Sequence, residues 1–441
     1  MNGTVARGVA PTISWREGAR MTSSTEVERS MASGLPAGPA MLASLPGISR
    51  WISAARRTAD LLGYPLERSG LARWIFDPDR LVWCARRATG LRDLGERSHP
   101  EGLAVACASL RLEAGLDVLG QLVVGNALIE SVSNRLRYVD GLARVPQRFE
   151  VPLTRPLFIV GLPRSGTTLL QRLLCAAPGT RGIPLWQATQ PIVGRHDRRR
   201  RRLGWRIGFL RAALPGLMSK HAFELDSAEE AINLFESAGG WNPFLWRIAS
   251  CHGYVRWMLE QDANTPYACF VDLLRWIAAP TPDRRLVLKT PDHLGYLTEL
   301  HALLPDAIFV RVHRDASRCV SSYASLSATM HSISARSIDS VAIGRTSLAI
   351  WAQHSARADA AQVPVIDVDY EALCSDPLAT VAWIHARAGL RWSREERVAI
   401  LEEIARRPAG RFGRHVYALR DYGLTDDMIR TQFRLAARTQ E

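Results

Sequence analysis

The sequence predicts an α/β protein, a parallel β-sheet flanked by helices with a helical extension at its N-terminal side. Three observations predict it. Short apolar runs at 157–160, 286–288, 307–312 and 363–368 have strand length and end in Gly or polar residues. Stretches of helical period separate them, and β–α–β alternation implies a parallel sheet. Before position 150 only helical periodicity appears.

Taken in order, residues 1–45 are rich in Gly, Ser, Thr, Ala and Pro without a sustained apolar period, and read as a disordered tail. Met21, Met31 and Met41 leave the true start open. Residues 46–150 read as a helical extension. Leu81, Cys84 and Ala88 recur at helix-like intervals, as do Leu103, Cys107 and Leu110. Leu112, Leu116, Leu119 and Val123 continue the stripe, followed by Ile129, Val132, Leu136 and Val139. Gly115, Gly120 and Gly125 argue against one unbroken helix there. No cluster of chemistry appears in this part; its first expected role is to cover the sheet, its second to shape a substrate pocket. Residues 151–441 form the α/β domain.

The densest stretch opens that domain. Leu157 to Val160 is a buried strand, and Gly161, Pro163 and Gly166 break the pattern as a tight loop does. Leu169, Leu170, Leu173 and Leu174 then follow at helical spacing, up to Pro178-Gly179. Strand, glycine loop and helix form a phosphate cradle, because helix N-terminal N–H groups point at the anion. The loop fits G-x-x-x-x-G-K-[ST] at Gly161, Gly166 and Thr168, but Thr167 stands where that pattern has lysine. The core is therefore P-loop-like rather than a standard nucleotide-triphosphate loop. Arg164 supplies a cation inside the loop, and Ser165, Thr167 and Thr168 supply hydroxyls, a set suited to a tetrahedral anion.

Seven arginines (195, 198–202 and 206) come next, with Trp205 nearby. The first reading is a solvated face or a lid. The second is peripheral contact with an acidic membrane face. Nucleic acid is disfavoured, because no accompanying motif supports it. Residues 221–262 read as helical. Ser227-Ala-Glu-Glu230 resembles a capping box, which would engage Glu230 and leave Glu229 to face a cleft.

The second dense region is 283–323. The strand Leu286–Leu288 leads to Lys289-Thr-Pro-Asp-His293, and a short helix spans Leu294 to Leu304. The next strand ends at His313-Arg314-Asp315, with Asp315 as a helix N-cap. Ser322 lies about two turns further along that helix. A fourth strand leads into Asp369-Tyr370-Glu371. Ligands of parallel sheets lie at the carboxyl ends of the strands, where the 161–168 loop, Lys289–His293 and Arg314 all fall.

Composition bounds the function. No run of 18 apolar residues appears, so no transmembrane helix is expected. The N-terminus lacks the apolar core of a signal peptide. The seven cysteines are scattered without a C-x-x-C pair, which reads as a reduced, cytoplasmic protein without a structural zinc site. Net charge is +13, and of the 56 basic residues only Lys220 and Lys289 are lysine. A lysine kept against that bias is a candidate for a role needing a compact point charge.

Pro163-Arg-Ser-Gly-Thr-Thr168 resembles the 5′-phosphosulfate loop of the sulfotransferase superfamily, whose donor is 3′-phosphoadenosine 5′-phosphosulfate (PAPS). His313-Arg314-Asp315 to Ser322 is similar to the motif with which that family binds the 3′-phosphate. Gly413-Arg414-His415, with Tyr417 and Asp421-Tyr-Gly-Leu424, resembles the C-terminal signature of its bacterial and Golgi-type branch. The resemblance covers roughly residues 155–425. It implies transfer of a sulfuryl group from PAPS to a hydroxyl on a small molecule, glycan or lipid, with 3′,5′-ADP as product and no metal required. Arg164, Ser165, Gly166, Thr167 and Thr168 would then hold the 5′-phosphosulfate. Arg314 and Ser322 would hold the 3′-phosphate, and Arg411, Gly413 and Arg414 would close over the donor. His293 is the first candidate for the base, Glu229 the alternative, and Lys289 the group that stabilises charge on the leaving phosphate. Two rivals remain: a P-loop kinase using ATP and Mg²⁺, and a non-catalytic protein that binds anions or membranes.

Overall fold

The computed structural model describes residues 71–96, 100–193, 197–213, 225–406 and 418–439. The tail expected at 1–45 and the Arg411, Gly413 and Arg414 turn lie outside these residues. Helices α1 (Pro78–Thr89), α2 (Pro100–Glu113) and α3 (Val118–Arg144) precede the first strand. They have a small cluster of their own, Ala85 with Val132 and Leu136, but most of their buried side chains join the main core. Phe76, Cys107, Val124 and Tyr138 belong to one apolar cluster with Phe158, Val160 and Phe270 of the α/β part.

The long helix α3 corrects one expectation, since it runs unbroken through Gly120 and Gly125. Neither glycine weakens it by accident. A Cβ at Gly120 would collide with the Ser334 carbonyl oxygen, and one at Gly125 would meet Ile75 at 2.6 Å. Packing against other elements requires the missing side chain, and tertiary contact outweighs intrinsic propensity.

Strands β1 (Leu157–Gly161), β2 (Thr180–Arg181), β3 (Arg285–Lys289), β4 (Ile308–His313) and β5 (Val365–Asp369) form one sheet in the order β2-β3-β1-β4-β5. Every pairing is parallel. β1 is central, with Ile159 beside Lys289 on one side and Val310 on the other. Its four apolar side chains are fully enclosed, as a continuous apolar run in a parallel sheet requires. Each contributes about 1.5–3 kcal/mol by burial. The chain crosses β1 on its way from β3 to β4, which places the ligand crevice at the carboxyl end of β1.

Helix α4 (Thr167–Ala176) follows β1, and α5 (Arg199–Ala213) carries the arginine run. The stretch expected as helix at 221–262 is broken instead. It comprises a 3₁₀ segment Ala231–Ser237 and two short helices, Leu245–Ile248 and His252–Glu260. Gly239 and Gly240, both at positive φ, and then Pro243 interrupt it. Helix α6 (Asn264–Ala278) packs beneath the sheet. After β3 come a 3₁₀ turn Pro291–Tyr296 and α7 (Leu297–Leu303). Helices α8 (Ala316–His331) and α9 (Ser340–Ala360) flank β4 and β5 in sequence. Asp315 caps α8 as expected, accepting from the Arg318 N–H at 2.9 Å.

Candidate active site

The loop between β1 and α4 is shaped by backbone that few residues adopt. Gly166 has φ 93° and Arg164 has φ 68°. A Cβ at Gly166 would lie 2.8 Å from the Tyr370 ring, so glycine is required there on two counts. Gly166 caps α4 without a side-chain hydrogen bond, and the helix therefore presents its first N–H groups to the crevice. Arg164 and Thr168 are exposed on the loop, while Ser165 and Thr167 are buried beneath it. The Ser165 hydroxyl is fully enclosed and has no partner among the described residues.

Arg314, at the end of β4, reaches across to this loop. Its Nη1 donates to the Arg164 carbonyl at 2.6 Å, and its guanidinium lies 4.0 Å over the Tyr370 ring. The buried Nε of Arg314 has no partner. Arg164, the Thr167 and Thr168 hydroxyls and a helix N-terminus thus gather at one end of the crevice, with Arg314 as a second cation beside them that also lines the neighbouring cleft. The donor set fits a phosphosulfate.

Beside the loop stands a row of charges. Lys289 Nζ donates to Glu230 Oε1 at 2.8 Å. Arg247 joins Glu230 Oε2 at 2.8 Å to Asp292 Oδ2 at 2.6 Å. Burial works against the Arg247 charge, yet the two carboxylates hold its guanidinium above the ordinary range. Glu230 therefore does not complete a capping box. Ala228 is bridged to Pro184 instead, and Glu230 turns inward to the two cations. Lys289 is only 2% exposed and lines no part of the crevice. Its contact is with Glu230, so leaving-group stabilisation does not fall to it by position.

Glu229 also lines the crevice, as do Glu130, Glu230 and Glu236; Glu230 is held by Lys289 and Arg247. The Glu229 segment is tied to α4, since Gln171 Nε2 donates to the Glu229 carbonyl at 3.3 Å. Burial raises the Glu229 pKa to about 7, and Glu230 adds to the rise while Lys289 and Arg172 oppose it. A carboxyl poised near neutrality is suited to taking a proton.

His293 does not fit the role of base. It is 0% exposed and lines no part of the crevice. Tyr267 Oη lies 3.0 Å from its Nδ1, and the rings of Phe158, Phe235 and Phe270 surround it. Burial lowers its pKa to about 3, so it remains neutral and sealed in the core. Ser322 is also buried, at 8% exposure, and lines neither the crevice nor the cleft beside Arg314.

A cavity of about 470 Å³ extends from the loop. Arg164, Gly166, Thr167, Thr168, Glu229, Arg247, Arg314 and Tyr370 line one end. Apolar side chains line the other, from α3 (Val124, Ala127), α5 (Leu203, Ile207) and α8 (Leu326, Met330). α5 thus turns one face to the cavity. Several of its arginines are in ion pairs, Arg199 with Asp197, Arg200 with Asp226 and Arg206 with Glu130 of α3. Sequence reasoning missed Arg247 and Tyr370. A signal for Tyr370 was present, because it follows the carboxyl end of β5. Arg247 carries no local signature.

The sequence model of the sulfotransferase family matches residues 156–394, more than half the chain. The chain belongs to the sulfotransferase family. It is an enzyme that moves sulfuryl groups, and members of this family draw them from PAPS and pass them to hydroxyl-bearing acceptors. Among solved structures this sulfotransferase resembles STF1 from Mycobacterium tuberculosis H37Rv, with 29% identity and a TM-score of 0.67. That match covers 80% of this chain and 97% of the other. STF9 from Mycobacterium avium shares the fold, with 23% identity and a TM-score of 0.72 over 82% of this chain and 96% of its own. A comparison with curated proteins gave no match. No helix among the described residues is long and apolar enough to cross a membrane.

Proposed function

We propose that this sulfotransferase carries the sulfuryl group of PAPS to the hydroxyl of an apolar acceptor, with Glu229 as general base. One observation carries the reading. The carboxyl with a pKa near 7 lines the same cavity as the anion loop, and that cavity continues between apolar helix faces.

Bound PAPS would supply an activated sulfuryl group whose departure releases 3′,5′-ADP. Arg164, the hydroxyls of Thr167 and Thr168, and the N–H groups at the start of α4 hold the 5′ end, with Ser165 buried beneath them. Arg314 holds the 3′-phosphate, braced by the Tyr370 ring. Ser322 is not assigned to it, because the hydroxyl reaches neither opening. The Glu229 carboxylate accepts the proton of the acceptor hydroxyl as its oxygen attacks sulfur. Arg164 faces the negative charge that grows on the leaving phosphate, where fixed cations stabilise a transition state most. Lys289 and Arg247 act one step back. They fix Glu230, and through it the segment that carries Glu229. The seven cysteines, free in all seven cases, fit a cytoplasmic enzyme.

The test is release of 3′,5′-ADP from PAPS in the presence of apolar alcohols, against sugars of similar size. The reading expects turnover with the alcohols, lost in Glu229→Gln. Turnover with sugars alone would refute the apolar acceptor, and turnover undiminished in Glu229→Gln would refute the base.

A further inference from the structure

The 3₁₀ segment Ala231–Ser237 has a consequence that an α-helix would not have. At three residues per turn, side chains three apart stand in one row. Glu230, its N-cap, is followed in that row by Asn233 and Glu236, and all three line the cavity. The wall around them is mostly apolar, broken by the Arg206–Glu130 ion pair. A polar stripe therefore runs from the catalytic end into the greasy part of the cavity.

The two ends of the stripe differ. Glu230 is occupied by Lys289 and Arg247. Asn233 is 4% exposed, and its buried Oδ1 has no hydrogen-bond partner. Glu236 is 9% exposed. Its carbonyl accepts from Ser131 Oγ at 2.7 Å, and its Oε2 accepts from Asn134 Nδ2 at 3.3 Å. Asn134 is itself fixed, since Nδ2 also donates to the Thr189 carbonyl at 2.8 Å. α3 thus pins both backbone and carboxyl of Glu236 through residues one turn apart. Burial raises the Glu236 pKa to about 8, reinforced by Glu130 and opposed by Arg206 and the Asn134 hydrogen bond. The group is largely protonated at neutral pH and has an O–H to donate. A lone buried acceptor and a neighbouring buried donor, set in a mostly apolar wall, match one hydroxyl, which both accepts and donates.

We propose that Asn233 and Glu236 form a second polar subsite, so that the acceptor is an elongated apolar alcohol with a second hydroxyl roughly 9 Å from the one sulfated. The spacing follows from the rise of about 2.0 Å per residue along the 3₁₀ row, measured from Glu230 to a point between Asn233 and Glu236. The distal hydroxyl accepts from Glu236 and donates to Asn233 Oδ1, while the apolar body lies between α3, α5 and α8. This subsite rests on the sulfotransferase reading given above.

The probes are α,ω-alkanediols and the matching 1-alkanols, from six to twelve carbons, with PAPS as donor and 3′,5′-ADP release as readout. At the chain length that spans the row, kcat/KM for the diol should exceed that for the mono-alcohol by about tenfold, the effect of one buried hydrogen bond. In Glu236→Leu the diol-to-alcohol ratio should fall to about one, while Glu236→Gln, which keeps an N–H donor, retains most of it. A melting-temperature rise with 3′,5′-ADP shows that each variant is folded. A ratio near one at every length in the wild-type enzyme would overturn the subsite, and so would a ratio that survives Glu236→Leu. If 3′,5′-ADP binds but no alcohol of the series is turned over, the acceptor class is wrong and the donor site stands. If 3′,5′-ADP does not bind, the sulfotransferase reading fails and the subsite falls with it.

Discussion

At the donor end of the cavity, Arg164, Gly166, Thr167 and Thr168 come from one loop and the first turn of the helix it enters, and much of their work is done by backbone. At the acceptor end, Val124, Ile207, Glu236 and Met330 come from four separate elements and work only through side chains. The first end is a local structure that five consecutive residues dictate. The second exists only once helices have packed. Local geometry should therefore resist change in the fold and fail sharply when a loop residue changes. An assembled wall should tolerate exchange and alter preference instead.

The sharpest break between the two ends is at Glu229, which sits where they meet. Glu229→Gln should lower kcat by about 10²–10⁴-fold, the usual weight of a general base, and leave 3′,5′-ADP binding intact. The pH profile gives the same test without mutation. The active form is the carboxylate, and a pKa raised to about 7 means that protons must leave as pH rises. Wild-type kcat/KM should therefore climb through about pH 7 and level off above it. A flat profile from acid to alkali would remove Glu229 from the mechanism.

Next in size is the charge row beside the loop. Glu230→Gln takes away the carboxylate that Lys289 touches, and Lys289 is 2% exposed. An uncompensated buried cation costs about 3–5 kcal/mol, to be read from urea unfolding. A loss below 1 kcal/mol would show that this row is not a buried network.

Gly166→Ala probes the loop itself. At φ 93°, with the Tyr370 ring 2.8 Å from the new Cβ, it should destabilise the fold by about 1–3 kcal/mol. It should also weaken 3′,5′-ADP binding, whereas a substitution in the apolar wall such as Val124→Ala should leave that binding unchanged. Equal effects at both positions would erase the contrast between the ends.

The smallest catalytic effect is expected at His293. His293→Leu strands the Tyr267 hydroxyl and should cost about 1–3 kcal/mol of stability. The midpoint of the pH–rate profile should not move. A shifted midpoint would return the histidine to the chemistry.

The same contrast explains what the sequence disclosed. Four of the five strands, the glycine loop and the Asp315 cap are local patterns, readable with boundaries a residue or two off; the two-residue β2 was not, being too short to carry a period. The 3₁₀ row of Glu230, Asn233 and Glu236 was not. The stretch has helical composition, and only the turn count, three per turn rather than 3.6, aligns those side chains. His293 misled for the opposite reason. Its position after a strand end resembles a catalytic place, yet the 3₁₀ turn Pro291–Tyr296 rotates it into the aromatic core. Lys289 stood out by its rarity and proved to be engaged, though with Glu230 rather than with the crevice. Arg247 was hidden among many arginines, because its partners Glu230 and Asp292 are distant in the chain.

The most direct test of the donor site is a thermal shift with 3′,5′-ADP, set against ATP–Mg²⁺, in the wild-type enzyme and in Arg314→Ala. A ligand that binds only the folded state raises its melting temperature. The account predicts a rise with 3′,5′-ADP that is lost in Arg314→Ala. A rise with ATP–Mg²⁺ alone, or one with 3′,5′-ADP that survives the substitution, would contradict it.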